Sequence, residues 1–150
     1  MTIRQSINDF LSANEIAIAG VSRNNQHFGY RVFSELLAKG FTLYPVNPHA
    51  ESIDERKCYA RVADLPPHLT HLYIVTPAGS TGQVMEEAIA KGFQHIWIQQ
   101  KSETPEAIAM AKQKGISLVY GECIMMYAEP VKSFHKFHRR LRKLFGGLPK

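Results

Sequence analysis

Gly20-Val21-Ser22-Arg23, followed a few residues later by Gly29-Tyr30, is the stretch of this chain best suited to hold an anion. Glycine lets the backbone approach a ligand closely, and a hydroxyl and a guanidinium can both donate to phosphate oxygens. A helix opening at Gly29, with Tyr30 in its first turn, would add unpaired N–H groups and the positive end of its dipole. The same residues also suit an ordinary strand-to-helix turn with no ligand. The spacing is not GxGxxG, because the second and third glycines are missing and the loop is longer. Farther along, Val46-Asn47-Pro48-His49 stands where an NAD-binding fold would carry Asp or Glu for the ribose diol. With no carboxylate there, a phosphorylated ribose would not be repelled. The residues therefore point to an adenine nucleotide other than NAD, and by charge alone NADP stays open.

Three further clusters can face the same ligand. Thr76-Pro77 leads into Gly79-Ser80-Thr81, a polar helix start whose hydroxyls suit either an N-cap by Ser80 or Thr81 or a ligand. Gln99-Gln100 and Gly121-Glu122-Cys123 follow two later apolar runs. None of these sites combines with the others as Ser/His/Asp, Cys/His or a carboxylate pair at a spacing that would bring them together, so no catalytic residue and no enzymatic activity are expected. Cys58 and Cys123 lack a CxxC or Cys/His partner and are expected to be free thiols. Cys123 has two readings: a small hydrophobe in the core, or a thiol placed to form a mixed disulfide with a thiol-bearing ligand.

A repeated phrase marks the helices and strands around these clusters. Ala-Lys-Gly-Phe occurs at 38–41 and 90–93, and Gln-Lys-Gly-Ile at 113–116. In each, a glycine able to take the left-handed conformation ends a helix, and a lysine faces its negative pole. The runs that follow, FTLYPV, FQHIWI and ISLVY, have strand length and composition. Ile16–Ala19 and LYIVT at 72–76 complete five strands. Between them, apolar residues recur at three and four: Val32, Phe33, Leu36 and Leu37; Val84, Met85, Ala88 and Ile89; Ile108 and Ala111. Thr104-Pro105 starts one helix, and Ile3, Ile7 and Leu11 define another at the N-terminus. Strands that alternate with helices and are apolar nearly throughout predict an α/β, Rossmann-like, doubly wound, five-stranded parallel sheet with helices on both faces. Ligands of such folds bind beyond the carboxyl ends of the strands, where strand order reverses.

The totals agree with a single domain. The chain has 150 residues, 45% hydrophobic and 21% charged, enough to fill a core. No apolar run approaches the length of a membrane span, and MTIRQSINDF has no secretory h-region, so a cytoplasmic location is expected. The formal charge is +5, but six of the eighteen Lys and Arg lie between Lys132 and Lys143. There Val131, Phe134, Leu141 and Leu144 recur at helical spacing opposite Lys132, Lys136, Arg139, Arg140, Arg142 and Lys143. The division expected is residues 1–128 as the ligand-binding domain and 129–150 as an amphipathic basic helix and tail packed on it. A contact with nucleic acid or an acidic partner is the alternative for that helix. His135 and His138 lack a third ligand, so no metal is expected.

The string IAIAGVSRNNQHFGYRVFSELLAKGFTLYPVNP, with LYIVTPAGS, EEAIAKGFQHIWIQQ and AKQKGISLVYGECIM, closely resembles the stand-alone coenzyme A-binding proteins of bacteria. These are similar to the CoA-binding domain of the succinyl-CoA synthetase α subunit. The resemblance covers about residues 6 to 126. It implies that CoA or acyl-CoA is held by its ADP and pantetheine. On this reading Ser22 and Arg23 contact phosphate; Val46, Asn47 and Pro48 flank the adenosine; and Thr76, Pro77 and Gln99 line the pantetheine path. The synthetase's second domain, with its phosphorylated histidine, has no counterpart expected here, so ligase activity is not carried over. Where the synthetase has a lysine after the strand-two proline, this chain has His49-Ala50. The alternatives are an NADP-type oxidoreductase or sensor, and a scaffold acting through the basic helix.

Overall fold

Alternate residues of each strand divide between two cores. Ile16, Ile18, Tyr73, Trp97 and Val119 face one side, while Ala17, Ala19, Leu72, Ile74, Ile96 and Ile98 face the other. This period of two is what a pleated strand buried on both faces requires. The computed structural model describes residues 3–128, so the basic helix expected over 129–150 lies outside the described residues.

The chain runs α1 (Ile3–Leu11), β1 (Glu15–Ala19), α2 (Phe28–Ala38), β2 (Thr42–Val46), β3 (Ser52–Ile53), β4 (Arg56–Lys57), β5 (His71–Ile74), α3 (Ala78–Lys91), β6 (His95–Gln99), α4 (Pro105–Gln113) and β7 (Ser117–Glu122). Short 3-10 turns cover Val62–Asp64 and Ile124–Met126. Five strands form one parallel sheet in the order β2-β1-β5-β6-β7. Helices cover both faces, with α1 and α2 on one core and α3 and α4 on the other. From β1 the chain moves outward to β2 and then returns to the far side of β1 as β5. Strand order therefore reverses between β1 and β5.

Local signals place most boundaries. Gly40, Gly92 and Gly115 all have positive φ at the helix-to-strand junctions. Thr104 Oγ1 accepts the Ala107 N–H over 3.1 Å, and Pro105 opens α4. Pro45 sits in β2, an edge strand, where its missing N–H removes no ladder bond of the five-stranded sheet; on the outward side the Tyr59 N–H reaches the Pro45 carbonyl.

Two expectations need correction, and one element was not expected. The inner face of α1 is Ser6, Ile7 and Phe10, with Ile3 half exposed, because Phe10 packs edge-on to Trp97 and His71 at 5.6 and 5.5 Å between centroids. Ser80 and Thr81 do not cap α3; Pro77 stands at the cap and both hydroxyl residues lie inside the helix. The β3–β4 hairpin carries no strong sequence signal, having two residues per strand, and it turns through Asp54 and Glu55, both at positive φ.

Candidate ligand-binding site

The point where β1, β5 and α2 converge is closed by two glycines. Gly20 has φ +106°, and a Cβ there would lie 2.6 Å from the Val75 carbonyl carbon and 2.7 Å from the Thr76 nitrogen. A Cβ on Gly29 would fall on the Gly20 carbonyl oxygen. The start of α2 is thus pressed against the end of β1, and the end of β1 against the end of β5. Val21 is fully buried next to this junction.

The loop from Ser22 to His27 is bound to itself. Ser22 Oγ accepts the Asn24 N–H at 3.0 Å and shares a 2.8 Å hydrogen bond with His27 Nδ1; Asn24 Oδ1 accepts the Gln26 N–H at 2.9 Å. His27 was not singled out in the sequence, and its pairing with Ser22 engages a hydroxyl expected to be free for phosphate. Arg23 is exposed at the mouth. Burial pushes the Cys58 thiol up, opposed by a hydrogen bond to the Asn47 carbonyl and, more weakly, by the Arg23 charge. Tyr30, in the first turn of α2, donates to both carboxylate oxygens of Asp54 at 3.0 and 2.8 Å. It ties α2 to the hairpin.

Val46, the last residue of β2, is buried, while Pro48 and His49 beyond it are exposed. Asn47 makes two side-chain bonds: Nδ2 donates to the Val21 carbonyl at 2.7 Å, and Oδ1 accepts the His49 N–H at 2.7 Å. The residue expected beside adenosine also holds the two loops together.

On the other side of the junction, Thr76 is buried and its Oγ1 lies 2.8 Å from Thr81 Oγ1; Thr81 donates to the Ser102 carbonyl at 2.7 Å. Pro77 is exposed above this chain of hydroxyls. Gln99 is buried, and its Oε1 accepts the Tyr73 O–H at 2.8 Å and the Ile124 N–H at 3.2 Å. Burial, and secondarily the Cys123 charge, raises the Tyr73 pKa strongly, so its hydroxyl stays a donor to Gln99. Cys123 is a half-buried free thiol before the turn at Ile124; Cys58 is also free and buried. The structure thus brings Gly20, Val21, Gly29, Asn47 and Thr76 together, and sets Gln99 and Cys123 farther along the same sheet edge.

An open cavity of about 400 Å³ lies elsewhere, at the outer edge of β2, lined by Leu37, Tyr44, Arg56, Lys57 and Tyr59 among others. Beside it Tyr44 donates to Glu15 at 2.6 Å, and that bond, with burial, pushes the tyrosine up to about 12. The cavity includes none of the residues at the reversal of strand order, where close-approach glycines and backbone donors make the candidate site. Among the described residues no group of three or more His, Cys, Asp or Glu could hold a metal ion, and no helix is long and apolar enough to cross a membrane.

A five-stranded parallel sheet covered on both faces, with a glycine-closed βα junction at its switch point, defines a Rossmann-like α/β domain. The chain belongs to the CoA binding domain family, whose sequence profile matches residues 14–129. It is 27% identical over 126 residues to the α subunit of acetate-CoA ligase (ADP-forming) II from Pyrococcus furiosus, covering 77% of this chain and 28% of that one. Acetate-CoA ligase (ADP-forming) II from Archaeoglobus fulgidus is 34% identical over 88 residues, 57% of this chain and 13% of its own length. The chain therefore spans only a minor part of these ligases. A solved structure of a conserved hypothetical protein from Pyrococcus furiosus superposes with a TM-score of 0.73 at 34% identity, covering 76% of this chain and 98% of that one.

Proposed function

We propose that this protein binds coenzyme A or acyl-CoA without transforming it, in a cytoplasmic setting, with the phosphates at the mouth between β1 and α2. The observation that carries the reading is the close approach at Gly20. There the strand ends and the start of α2 meet with no side chain between them, in a chain belonging to the CoA binding domain family. Arg23 supplies a cation at that mouth, and the loop after β2, Val46-Asn47-Pro48-His49, offers no carboxylate to repel a 3′-phosphate. Ser22 reaches a phosphate by exchanging its bond to His27, which can then follow as a second donor. Thr76, Pro77 and Gln99 border the route from the switch point toward β6, the path assigned to pantetheine. No residue is assigned a catalytic role, and the ligase activity of the longer relatives is not attributed to this chain.

Isothermal titration with CoA, acetyl-CoA and NADPH tests the reading. Saturable binding of CoA with no response to NADPH is expected. Binding of NADPH with no response to CoA would replace the proposal with the nucleotide-sensor or oxidoreductase alternative.

A further inference from the structure

The cavity at the outer edge of β2 is built from a different chemistry than the mouth between β1 and α2. Its volume, about 400 Å³, is that of a small-molecule pocket. Arg56 and Lys57 are the charged residues of its lining, which includes no carboxylate. Two acids of the neighbouring elements are engaged elsewhere: Tyr30 holds both carboxylate oxygens of Asp54, and Glu15 is bound to Tyr44 and His68. Arg56 Nη1 donates to the Asp54 main-chain carbonyl at 3.2 Å, and Lys57 Nζ lies 4.9 Å from the centroid of the Tyr59 ring. Neither cation forms an ion pair among the described residues.

Main-chain groups add direction to this charge. The Thr42 N–H bonds the Asn14 carbonyl and the Gly20 N–H bonds the Val46 carbonyl, so Thr42, Tyr44 and Val46 face β1. Leu43, Pro45 and Asn47 therefore face outward. Tyr59 takes the Pro45 carbonyl at 2.8 Å and the Asn47 N–H at 2.9 Å, and proline has no N–H to give. The outward N–H and C=O of Leu43 bond no group among the described residues. Its side chain is packed in the core, so main chain is what Leu43 turns to the cavity. A peptide strand added at this edge would find one residue's pair of groups and no more. A flat heterocycle needs only that pair, and adenine carries a ring-nitrogen acceptor beside its amino donor. The rings of Tyr44 and Tyr59, 6.4 Å apart between centroids, give such a base an aromatic wall.

We propose that this cavity is a second ligand site for an adenine mononucleotide, with the base edge on the Leu43 main chain and the phosphate on Arg56 and Lys57. The site is separate from the mouth between β1 and α2 and independent of the coenzyme A reading.

The test is a titration with AMP of isotope-labelled wild-type protein, R56Q, K57Q and R23A, followed through the backbone amide signals. AMP is expected to shift the Leu43 amide in wild type. Its affinity is expected to fall about three- to tenfold in R56Q and in K57Q, at unchanged Tm because both side chains are exposed, and to stay the same in R23A. Inorganic phosphate is expected to bind more weakly and to leave the Leu43 signal in place. No shift at Leu43, affinity retained in R56Q and K57Q, affinity lost in R23A, or phosphate binding as tightly as AMP overturns the proposal. Each of these results leaves the coenzyme A reading standing, since titration with CoA decides that separately.

Discussion

Asn47 Nδ2 donates to the carbonyl oxygen of Val21 across 2.7 Å, joining the loop after β2 to the loop after β1. The bond spans the edge of the mouth assigned to the nucleotide, so it couples the shape of that mouth to one side chain. Replacing Asn47 with Ala removes the donor to Val21 and the acceptor for His49. We expect a loss of about 1–2 kcal/mol in urea unfolding, together with a several-fold loss of CoA affinity by calorimetry. Unchanged affinity in a destabilised protein would confine Asn47 to a structural role.

Arg23→Ala removes the exposed cation at the mouth. A charge-assisted contact with phosphate contributes ~1.5–3 kcal/mol, so a loss of tenfold or more in CoA affinity is expected, with little change in Tm because the side chain is exposed. Equal affinity would remove the phosphates from this loop.

Glycines separate by what surrounds them. Gly20→Ala places a methyl against the backbone of Val75 and Thr76 at positive φ, and is expected to cost more than about 2 kcal/mol. Gly82, inside α3 with open space around it, is expected to gain about 0.5–1 kcal/mol on substitution by Ala. Opposite shifts in Tm from two Gly→Ala changes would be read by thermal unfolding.

Thr81→Val keeps the shape of a fully buried residue but leaves the Thr76 hydroxyl and the Ser102 carbonyl without their partner. A destabilisation of about 1–3 kcal/mol is expected in urea unfolding. Thr81→Ser, which retains the hydroxyl, should recover most of it.

His71 begins β5 and stacks on His95 at 4.2 Å between ring centroids, with Nε2 3.3 Å from the Asp9 carbonyl and Nδ1 2.8 Å from the Thr70 hydroxyl. Burial and then the charge of His95, outweighing the Asp9 carbonyl and carboxylate, lower its pKa from 6.5 to about 4. A histidine that resists protonation only when folded contributes stability that is complete above pH 6.5 and lost as pH falls toward 4. Solvent reaches the half-exposed ring, so the loss is expected to be about 2 kcal/mol rather than the full value of the shift. Urea unfolding at pH 7 and pH 4.5 measures it, and His71→Gln should flatten the difference. An equal drop in that variant would assign the pH dependence to other groups.

Five strands, their membership of a parallel sheet in an α/β domain, and the glycine and proline punctuation between them were legible in the residues alone. Each of those signals is local: an apolar run, a Gly at a helix end, and Thr104-Pro105 act within a few residues of themselves. The sequence also supplied Gly20, Ser22, Arg23, Asn47, Thr76 and Gln99 as candidates, because those residues lie at or just beyond the carboxyl ends of strands, although Gln99, expected after its strand, is the last residue of β6. What most of them touch emerges in the folded chain. Asn47 meets Val21, Thr81 joins Thr76 to Ser102, and Gln99 takes Tyr73 and Ile124 across 26 and 25 positions. Those partners are set by which strands lie side by side in β2-β1-β5-β6-β7, and strand adjacency is a long-range property that no short run of residues encodes.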